Sequence, residues 1–202
     1  MRELLVATKN HGKFLEISEA LKTLNGCLFK LVFLRDVSVI YGDFVEDGET
    51  FAENAFKKAS YYFGKTGILT LAEDSGIIVD ALRDELGVKT RRWGAGESAS
   101  DEEWLEYFMS RMSGVVDRGA KFVCSACVCG EEIREGFEGE TYGKITEKIM
   151  VPILKGLPLS SCFLPDGRDK VYAALSSEEK NKISHRGKAM VAVLKFLGEL
   201  KE

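Results

Sequence analysis

Three side chains near the amino terminus, Thr8, Asn10 and Lys13, have the types and spacing to hold an anion. Residues 4–7 form the short apolar run of a buried strand, and apolar residues recur at helical spacing over 14–24. A helix that starts in this turn adds unpaired N–H groups and a partial positive charge. The segment therefore predicts a strand, a phosphate-binding turn and a helix, although an ordinary strand-to-helix turn explains it equally well in isolation.

Two acidic segments could supply carboxylates to a divalent cation. Glu46 and Asp47 lie in a polar turn before a helix, whereas Glu73 and Asp74 directly follow the apolar run 68–72. We expect the second pair at the carboxyl end of a strand, where ligands bind in open α/β sheets. Mg²⁺ bridges carboxylate and phosphate oxygens, and one carboxylate can also take a proton from water. Each acidic turn alone is more typical of a solvated loop.

A third cluster of charges lies at residues 178–189, EEKNKISHRGKA. Ser184 is a typical N-cap, which would place His185 and Arg186 in the first turn of the last helix. Cations are unfavourable there, and a paired anion or a base carbonyl would offset that cost. A solvated charged face is nevertheless the more frequent explanation of such a run.

Composition excludes several classes of function. The chain has 202 residues, 45% hydrophobic and 30% charged, which is enough for one sizeable core, and we expect a single domain spanning residues 1–202. A net charge of -4 argues against a nucleic acid polymer as partner. The chain shows no signal-like segment and no apolar run near the ~20 residues that span a bilayer, so we expect no membrane partner and a cytoplasmic location.

Apolar runs and capping residues alternate along the chain and predict an α/β fold with a mixed central sheet flanked by helices. Helices are expected after the first turn and from the capping residues Thr50, Ser100 and Ser184. Residues 83–99 are expected to form a long loop, and the hairpin-rich segment 119–149 is expected to form or extend a second lobe. The predicted strands are 4–7, 28–34, 37–40, 68–72, 77–82, 119–129, 133–139 and 143–149.

The cysteines show no disulfide spacing and are odd in number: Cys27, Cys124, Cys127, Cys129 and Cys162. Cys124 and Cys127 form a C-x-x-C pair inside an apolar segment typical of a strand. Positions three apart on a strand face opposite sides. The pattern therefore favours a buried strand over a redox or zinc site.

Four segments taken together resemble the family of pyrophosphatases that act on non-canonical purine nucleoside triphosphates such as inosine and xanthosine triphosphate. The segments are TKNHGK (8–13), DGETFAENAFKKA (47–59), AEDSG (72–76) and KNKISHRGKA (180–189). The resemblance implies an elongated α/β fold with the nucleotide in a cleft between two lobes, and a homodimer. It also implies Mg²⁺-dependent hydrolysis between the α and β phosphates, which removes deaminated purine nucleotides.

The resemblance also implies roles for individual residues. Asp74 would accept a proton and bind the metal. The metal ligands it implies are Glu46, Glu73 and Asp74. The residues it implies for binding of the nucleoside triphosphate, from phosphates to base, are Thr8, Lys9, Asn10, His11, Gly12, Lys13, Asn54, Lys58, Ser75, Lys180, His185 and Arg186.

The chain departs from this family at residues 157–160. The family has F-G-Y-D there, with an aromatic ring against the base and a nearby acid, whereas this chain has Leu-Pro-Leu-Ser. Loss of a stacking ring would remove ~1–3 kcal/mol per base. A nucleotide-binding or sensor protein without catalysis is therefore the alternative, but the presence of both Lys13 and Asp74 favours an enzyme.

Overall fold

The structure is a computed structural model that describes residues 2–23, 29–37, 44–83, 85–96 and 98–200. Its helices are α1 (His11–Thr23), α2 (Phe51–Thr66), α3 (Asp101–Arg111), α4 (Ser177–Ile183) and α5 (His185–Glu199). Its strands are β1 (Arg2–Val6), β2 (Phe29–Phe33), β3 (Thr70–Val79), β4 (Gly119–Cys129), β5 (Arg134–Ile145) and β6 (Phe163–Pro165).

The described strands form one mixed sheet in the order β2-β1-β3-β4-β5-β6. β1 runs parallel to both of its neighbours, and the remaining pairs are antiparallel. β1 pairs with β3 only at Thr70 and Leu71, so the described part of β3 beyond Leu71 has a strand neighbour only on its β4 side. This open edge of β3 is where the cleft described below forms.

Three apolar clusters surround the sheet. Leu4 and Val6 face α1 and α5 on one side, while Leu5 faces α2 on the other, because successive strand residues point to opposite faces. The far ends of β3, β4 and β5 pack instead against α3, through Ile77 and Trp104 among others. The predicted α/β fold is confirmed, but the segment 119–149 does not form a lobe by itself, because β4 and β5 run through both ends of the sheet.

The predicted helix starts are confirmed, with one difference in a cap. The Thr50 hydroxyl accepts a hydrogen bond from the Glu53 N–H at 3.1 Å, but the Glu53 carboxylate accepts from Glu49 N rather than from Thr50 N. Only half of that capping box therefore forms. Ser100 makes a complete capping box at α3, and the Ser184 hydroxyl caps α5 by accepting from the Gly187 N–H.

Several predicted strand boundaries are wrong. β3 runs without a break over Thr70–Val79, and β5 over Arg134–Ile145, where the sequence predicted two strands in each case. Every residue of β3 is opposite a residue of β4, and this pairing outweighs the turn-like composition of EDSG. Part of the predicted loop 83–99 forms the 3₁₀ turn Gly87–Arg92. Residues 38–40 and Cys27 lie outside the described residues.

The cysteine prediction is confirmed for the residues that the structure describes. Cys124 and Cys127 lie in β4 and belong to apolar clusters on opposite faces of the sheet. Cys129 and Cys162 are likewise buried thiols. Among the described residues, no helix has the length and apolar character needed to cross a bilayer.

Candidate active site

A cavity of about 1350 Å³ opens beside β3 at the point where β1 ends. Its size suits a nucleotide-sized ligand. The predicted site residues that line it are Thr8, Lys9, Asn10, His11, Gly12, Lys13, Glu46, Lys58, Asp74, Ser75, Lys180, His185 and Arg186. The other two predicted residues, Asn54 and Glu73, lie buried beneath this lining. The fold therefore brings together four segments that are far apart in sequence.

Glu73 and Asp74 lie in the middle of β3 and not at its carboxyl end, which corrects the prediction. The strand end that forms the cleft is that of β1, which stops beside Leu71. As neighbours on one strand the two carboxylates point to opposite faces of the sheet. Glu73 faces α1 and α5, whereas Asp74 faces α2, and the two acids therefore have different partners.

Glu73 is a buried counter-ion for two cations. Its side chain is 1% exposed, and its Oε1 lies 2.8 Å from Lys13 Nζ while its Oε2 lies 3.5 Å from Arg186 Nη2. Burial alone would raise the pKa of Glu73, but the charges of Lys13 and Arg186 hold it far below its usual value. The same carboxylate raises the pKa of Lys13 despite the opposing effect of burial. Both Glu73 and Lys13 are therefore charged near neutrality.

The Asp74 carboxylate lies on the other face of β3, where it accepts hydrogen bonds from two donors. Its Oδ2 accepts a hydrogen bond from Asn54 Nδ2 at 2.9 Å, and its Oδ1 accepts from Ser75 N at 2.9 Å. Asn54 Oδ1 in turn accepts from Gly48 N at 2.7 Å. Burial and the neighbouring Glu46 raise the pKa of Asp74. Asn54 thus orients the Asp74 carboxylate and links it to the polar turn that contains Glu46 and Asp47.

Glu46 forms an ion pair with Lys58 at the edge of the same cleft. Burial would raise the pKa of Glu46, but the Lys58 ammonium lowers it below its usual value. Glu46 and Asp74 thus place two carboxylates on the wall of one cleft, and the negative charge of Glu46 adds to burial in raising the pKa of Asp74. Such a pair of carboxylates would be stabilised by an added cation.

The turn between β1 and α1 is organised by Asn10. Its Oδ1 accepts a hydrogen bond from Lys13 N at 3.1 Å and so caps α1, while its Nδ2 donates to Gly156 O at 3.0 Å. The Thr8 hydroxyl accepts from Asn10 N at 3.1 Å. The side chain of Asn10 therefore shapes the turn, and Lys13 and the start of α1 supply positive charge to the cleft.

Glu16 joins the third charged cluster to α1, and sequence reasoning missed it. Both Lys180 and Arg186 form ion pairs with Glu16, whose pKa they lower against the opposing effect of burial. Arg186 Nη2 also donates to Ser75 Oγ at 2.9 Å. The signal available in the sequence was the position of Glu16 three residues after Lys13, which places both on one face of α1.

Aromatic rings line the opposite end of the cleft. The His185 ring stacks on Phe122, with ring centres 4.7 Å apart and planes inclined by 14°. Tyr172 stacks against the same pair, and Phe122, Tyr172 and Trp104 all line the cavity. Burial and the adjacent Arg186 lower the pKa of His185 well below its usual value, so the imidazole is neutral. The sequence indicated that the aromatic residue usual at 157–160 is absent, but it did not predict that Phe122, Tyr172 and Trp104 would line the cleft.

Comparisons with known proteins agree with this arrangement. The Ham1 family profile matches residues 4–196. A Geobacter sulfurreducens protein named dITP/XTP pyrophosphatase is 37% identical over 98% of both chains, and an Aquifex aeolicus protein of the same name is 37% identical over 93% of both. These names match the family that the motifs indicated, and that prediction is confirmed.

Solved structures show the same fold. The Staphylococcus aureus Ham1 protein superposes with a TM-score of 0.81 at 29% identity, covering 99% of this chain and 100% of the other. A HAM1 protein from Coxiella burnetii also gives 0.81, at 30% identity, with 98% and 100% covered. Profile, sequence and structure agree over nearly the whole length, and the chain belongs to the Ham1 family.

Proposed function

We propose that this protein hydrolyses the non-canonical purine nucleoside triphosphates ITP, dITP and XTP to the nucleoside monophosphate and pyrophosphate. Relatives with 34–37% identity over nearly the whole chain are named dITP/XTP pyrophosphatases. The observation that carries the proposal is Asp74, a buried carboxylate with a raised pKa on the wall of a cleft that also contains Lys13 and Lys58. The cellular role would be to remove deaminated nucleotides from the pool.

The triphosphate would lie at the end of the cleft that holds the cations. Lys13, the Thr8 hydroxyl and the N–H groups at the start of α1 are the donors there, and Lys58 lies across the cleft. Because Glu73 already fixes Lys13, the ammonium group is in place before the substrate arrives. Preorganised charge of this kind stabilises a transition state more than mobile charge does.

Membership of the family implies a divalent metal, and we propose that it is Mg²⁺. Mg²⁺ is usually bound through one or two carboxylates together with substrate phosphates and water. Asp74 and Glu46 fit that requirement, because both carboxylates line the cleft beside Lys13 and Lys58, and burial together with the negative charge of Glu46 raises the pKa of Asp74. The described residues contain no cluster of three or more acidic, histidine or cysteine ligands. The metal role predicted for Glu73 stays a prediction, since Glu73 is paired with Lys13 and Arg186.

In the proposed reaction Asp74 accepts the proton of the attacking water. Asn54 and Ser75 N hold its carboxylate in one orientation, as a general base requires. When bound, the cation would neutralise phosphate charge and lower the pKa of a coordinated water. Lys13 and Lys58 would compensate the charge that develops on the departing pyrophosphate.

The base would lie toward Lys180, His185 and Arg186. These side chains carry donors that suit the 6-oxo group of hypoxanthine or xanthine, which adenine lacks. Among the described residues His185 Nδ1 and Arg186 Nε are buried without a hydrogen-bond partner, and a polar group of a bound ligand would offset the cost of leaving them unpaired. The rings of Phe122 and Tyr172 provide apolar surface in place of the ring absent at 157–160.

The test is pyrophosphate release from inosine, xanthosine, deoxyinosine, guanosine, adenosine and uridine triphosphates, with Mg²⁺ or with a chelator. We expect release from the first three only, with the monophosphate as the second product and no release after chelation. Release of orthophosphate and a diphosphate would contradict the proposed bond cleavage. No hydrolysis of any triphosphate would favour the nucleotide-binding alternative.

Four further properties stay predictions beside this function: a homodimer, a cytoplasmic location, a single domain of residues 1–202 and the absence of a nucleic acid partner. Sedimentation of the purified protein would test the dimer. Limited proteolysis would test the single domain, which should yield no stable fragment.

A further inference from the structure

Both backbone polar groups of Gly156 are hydrogen bonded by side chains from distant parts of the fold. Its N–H donates to Asp101 Oδ2 at 2.6 Å, and its carbonyl accepts from Asn10 Nδ2 at 3.0 Å. Asp101 is the first residue of α3, whereas Asn10 lies in the turn between β1 and α1. A single residue is therefore tied to both lobes.

The segment around Gly156 also lies directly against the phosphate-binding turn. A Cβ atom on Gly12 would lie 2.8 Å from Lys155 O and 3.3 Å from Leu157 Cγ. Gly156 has φ +79°, and a Cβ there would lie 2.6 Å from Asn10 Oδ1. Gly12 requires glycine because the backbone of Lys155 approaches too closely for a side chain. Gly156 favours glycine because its φ is positive and the Asn10 side chain fills the space that a Cβ would take.

Residues 157–160 follow directly after this contact and are held together by backbone hydrogen bonds. Leu157 N donates to Leu154 O at 2.9 Å, and Ser160 N donates to Leu157 O at 3.1 Å. Leu159 is buried in the cluster around α3, while Leu157 and Pro158 line the cleft. Any shift of Gly156 would therefore move the cleft wall that replaces the family's F-G-Y-D.

We propose that Asn10 and Asp101 are positioning residues that clamp Gly156 and thereby fix the distance between the phosphate-binding turn and the wall 157–160. The proposal rests on the proposed function, in which the phosphates lie at the turn and the base near that wall. A nucleotide held at both ends is sensitive to this spacing, since small displacements weaken binding and catalysis. The clamp would therefore set how well the base end is recognised. The direct phosphate contact predicted for Asn10 stays a separate prediction.

The test compares Asp101→Ala with Glu102→Ala. Both changes remove an acidic residue from the first turn of α3, but only Asp101 contacts Gly156. The first readout is amide hydrogen exchange at Gly156 in the unliganded protein. The second is calorimetric binding of inosine monophosphate and of pyrophosphate, each with Mg²⁺, because these products probe the two ends of the cleft separately.

We expect Asp101→Ala to speed exchange at Gly156 and to weaken inosine monophosphate binding roughly tenfold, as loss of a hydrogen bond to a charged group does. Pyrophosphate affinity should change less than about twofold, because the turn itself is intact. Asp101→Asn, whose side-chain oxygen still accepts from Gly156 N, should restore both readouts. Glu102→Ala should match the wild type.

A second variant tests the other contact of the clamp, which is the one between Gly156 and Asn10. Gly156→Ala places a methyl group against Asn10 and should produce the same selective loss of inosine monophosphate affinity. The proposal is overturned if Asp101→Ala leaves exchange at Gly156 unchanged, if Glu102→Ala has the same effect, or if both products lose affinity equally. If the wild type hydrolyses no triphosphate, the proposed function fails, whereas the exchange comparison still decides whether the clamp exists.

Discussion

The two ends of the cleft are built from different interactions. At the phosphate end the side chains are charged and paired, as in Lys13 with Glu73 and Lys58 with Glu46. At the base end the wall consists of stacked rings and an apolar turn, as in Phe122 with His185. One end is therefore held by charge, whereas the other combines packing with the ion pairs that Glu16 forms with Lys180 and Arg186.

This difference explains where the chain matches its family and where it departs. Removing one member of a buried ion pair leaves its partner uncompensated, which typically costs about 3–5 kcal/mol. Replacing one set of apolar side chains by another changes the packing contacts but leaves no buried charge without its partner. The phosphate end therefore tolerates little substitution, while residues 157–160 can change from F-G-Y-D to Leu-Pro-Leu-Ser with the fold intact.

The largest effect is expected from Asp74→Asn, which removes the proton acceptor at the phosphate end. Turnover should fall by about 10²–10⁴-fold, the usual contribution of a general base. The fold should survive, because an asparagine keeps the shape of the side chain and an oxygen that accepts from Asn54 or Ser75 N. Pyrophosphate release and circular dichroism check the two parts. Turnover within tenfold of the wild type would remove Asp74 from its proposed role.

Next in size is Glu73→Gln, which should lower the free energy of unfolding at pH 7 by about 3 kcal/mol, because Lys13 and Arg186 lose their buried counter-ion. The wild-type contribution depends on pH. The pKa of Glu73 is lower in the folded chain than its ordinary value of 4.5, so its stabilisation is complete above that value. It is lost as the pH falls toward the folded pKa.

Denaturant titrations of both proteins at pH 7 and at pH 3 measure this dependence. The difference in unfolding free energy between wild type and Glu73→Gln should be smaller at pH 3. Glu3→Gln, which alters an exposed ion pair with Lys30, is the matched control. An equal difference at both pH values would mean that Glu73 does not titrate as a paired acid.

The phosphate end could largely be predicted from the sequence, because its residues lie in short local motifs. The turn at 8–13 and the cap at Thr50 follow from neighbouring residues alone. The position of Asp74 within a continuous β3 could not be predicted, because pairing with β4 decides it. Local composition favoured a turn there, and tertiary pairing overrode that preference.

The base end was largely beyond prediction for the same reason. In the sequence Phe122 is typical of any strand residue. Its contact with the His185 ring depends on the fold, which brings the two distant residues together. The contact between Asn10 and Gly156 joins residues 146 positions apart. Sequence patterns report which residues are buried, but not which distant residues meet, so packed sites emerge only from the structure.

A smaller effect is expected from Leu157→Phe, which restores a ring at the altered wall. Stacking on a base is worth about 1–3 kcal/mol, so the affinity for inosine monophosphate should rise roughly tenfold. Pyrophosphate affinity should be unchanged. Ile149→Phe, at an exposed position, is the control for added hydrophobicity. An unchanged inosine monophosphate affinity would place the base away from residue 157.

The smallest effect is expected from Lys57→Ala, which tests whether position or total charge matters at the phosphate end. Lys57 pairs with Asp47 and Glu53 on the exposed face of α2, whereas the adjacent Lys58 is buried in the cleft against Glu46. Exposed pairs are screened by solvent, so Lys57→Ala should leave the thermal midpoint and pyrophosphate affinity unchanged. Lys58→Ala should weaken pyrophosphate binding roughly tenfold. If both variants lost the same pyrophosphate affinity, and if added salt removed both losses, the net positive charge of the region would attract the phosphates. The position of the Lys58 ammonium group would then not matter.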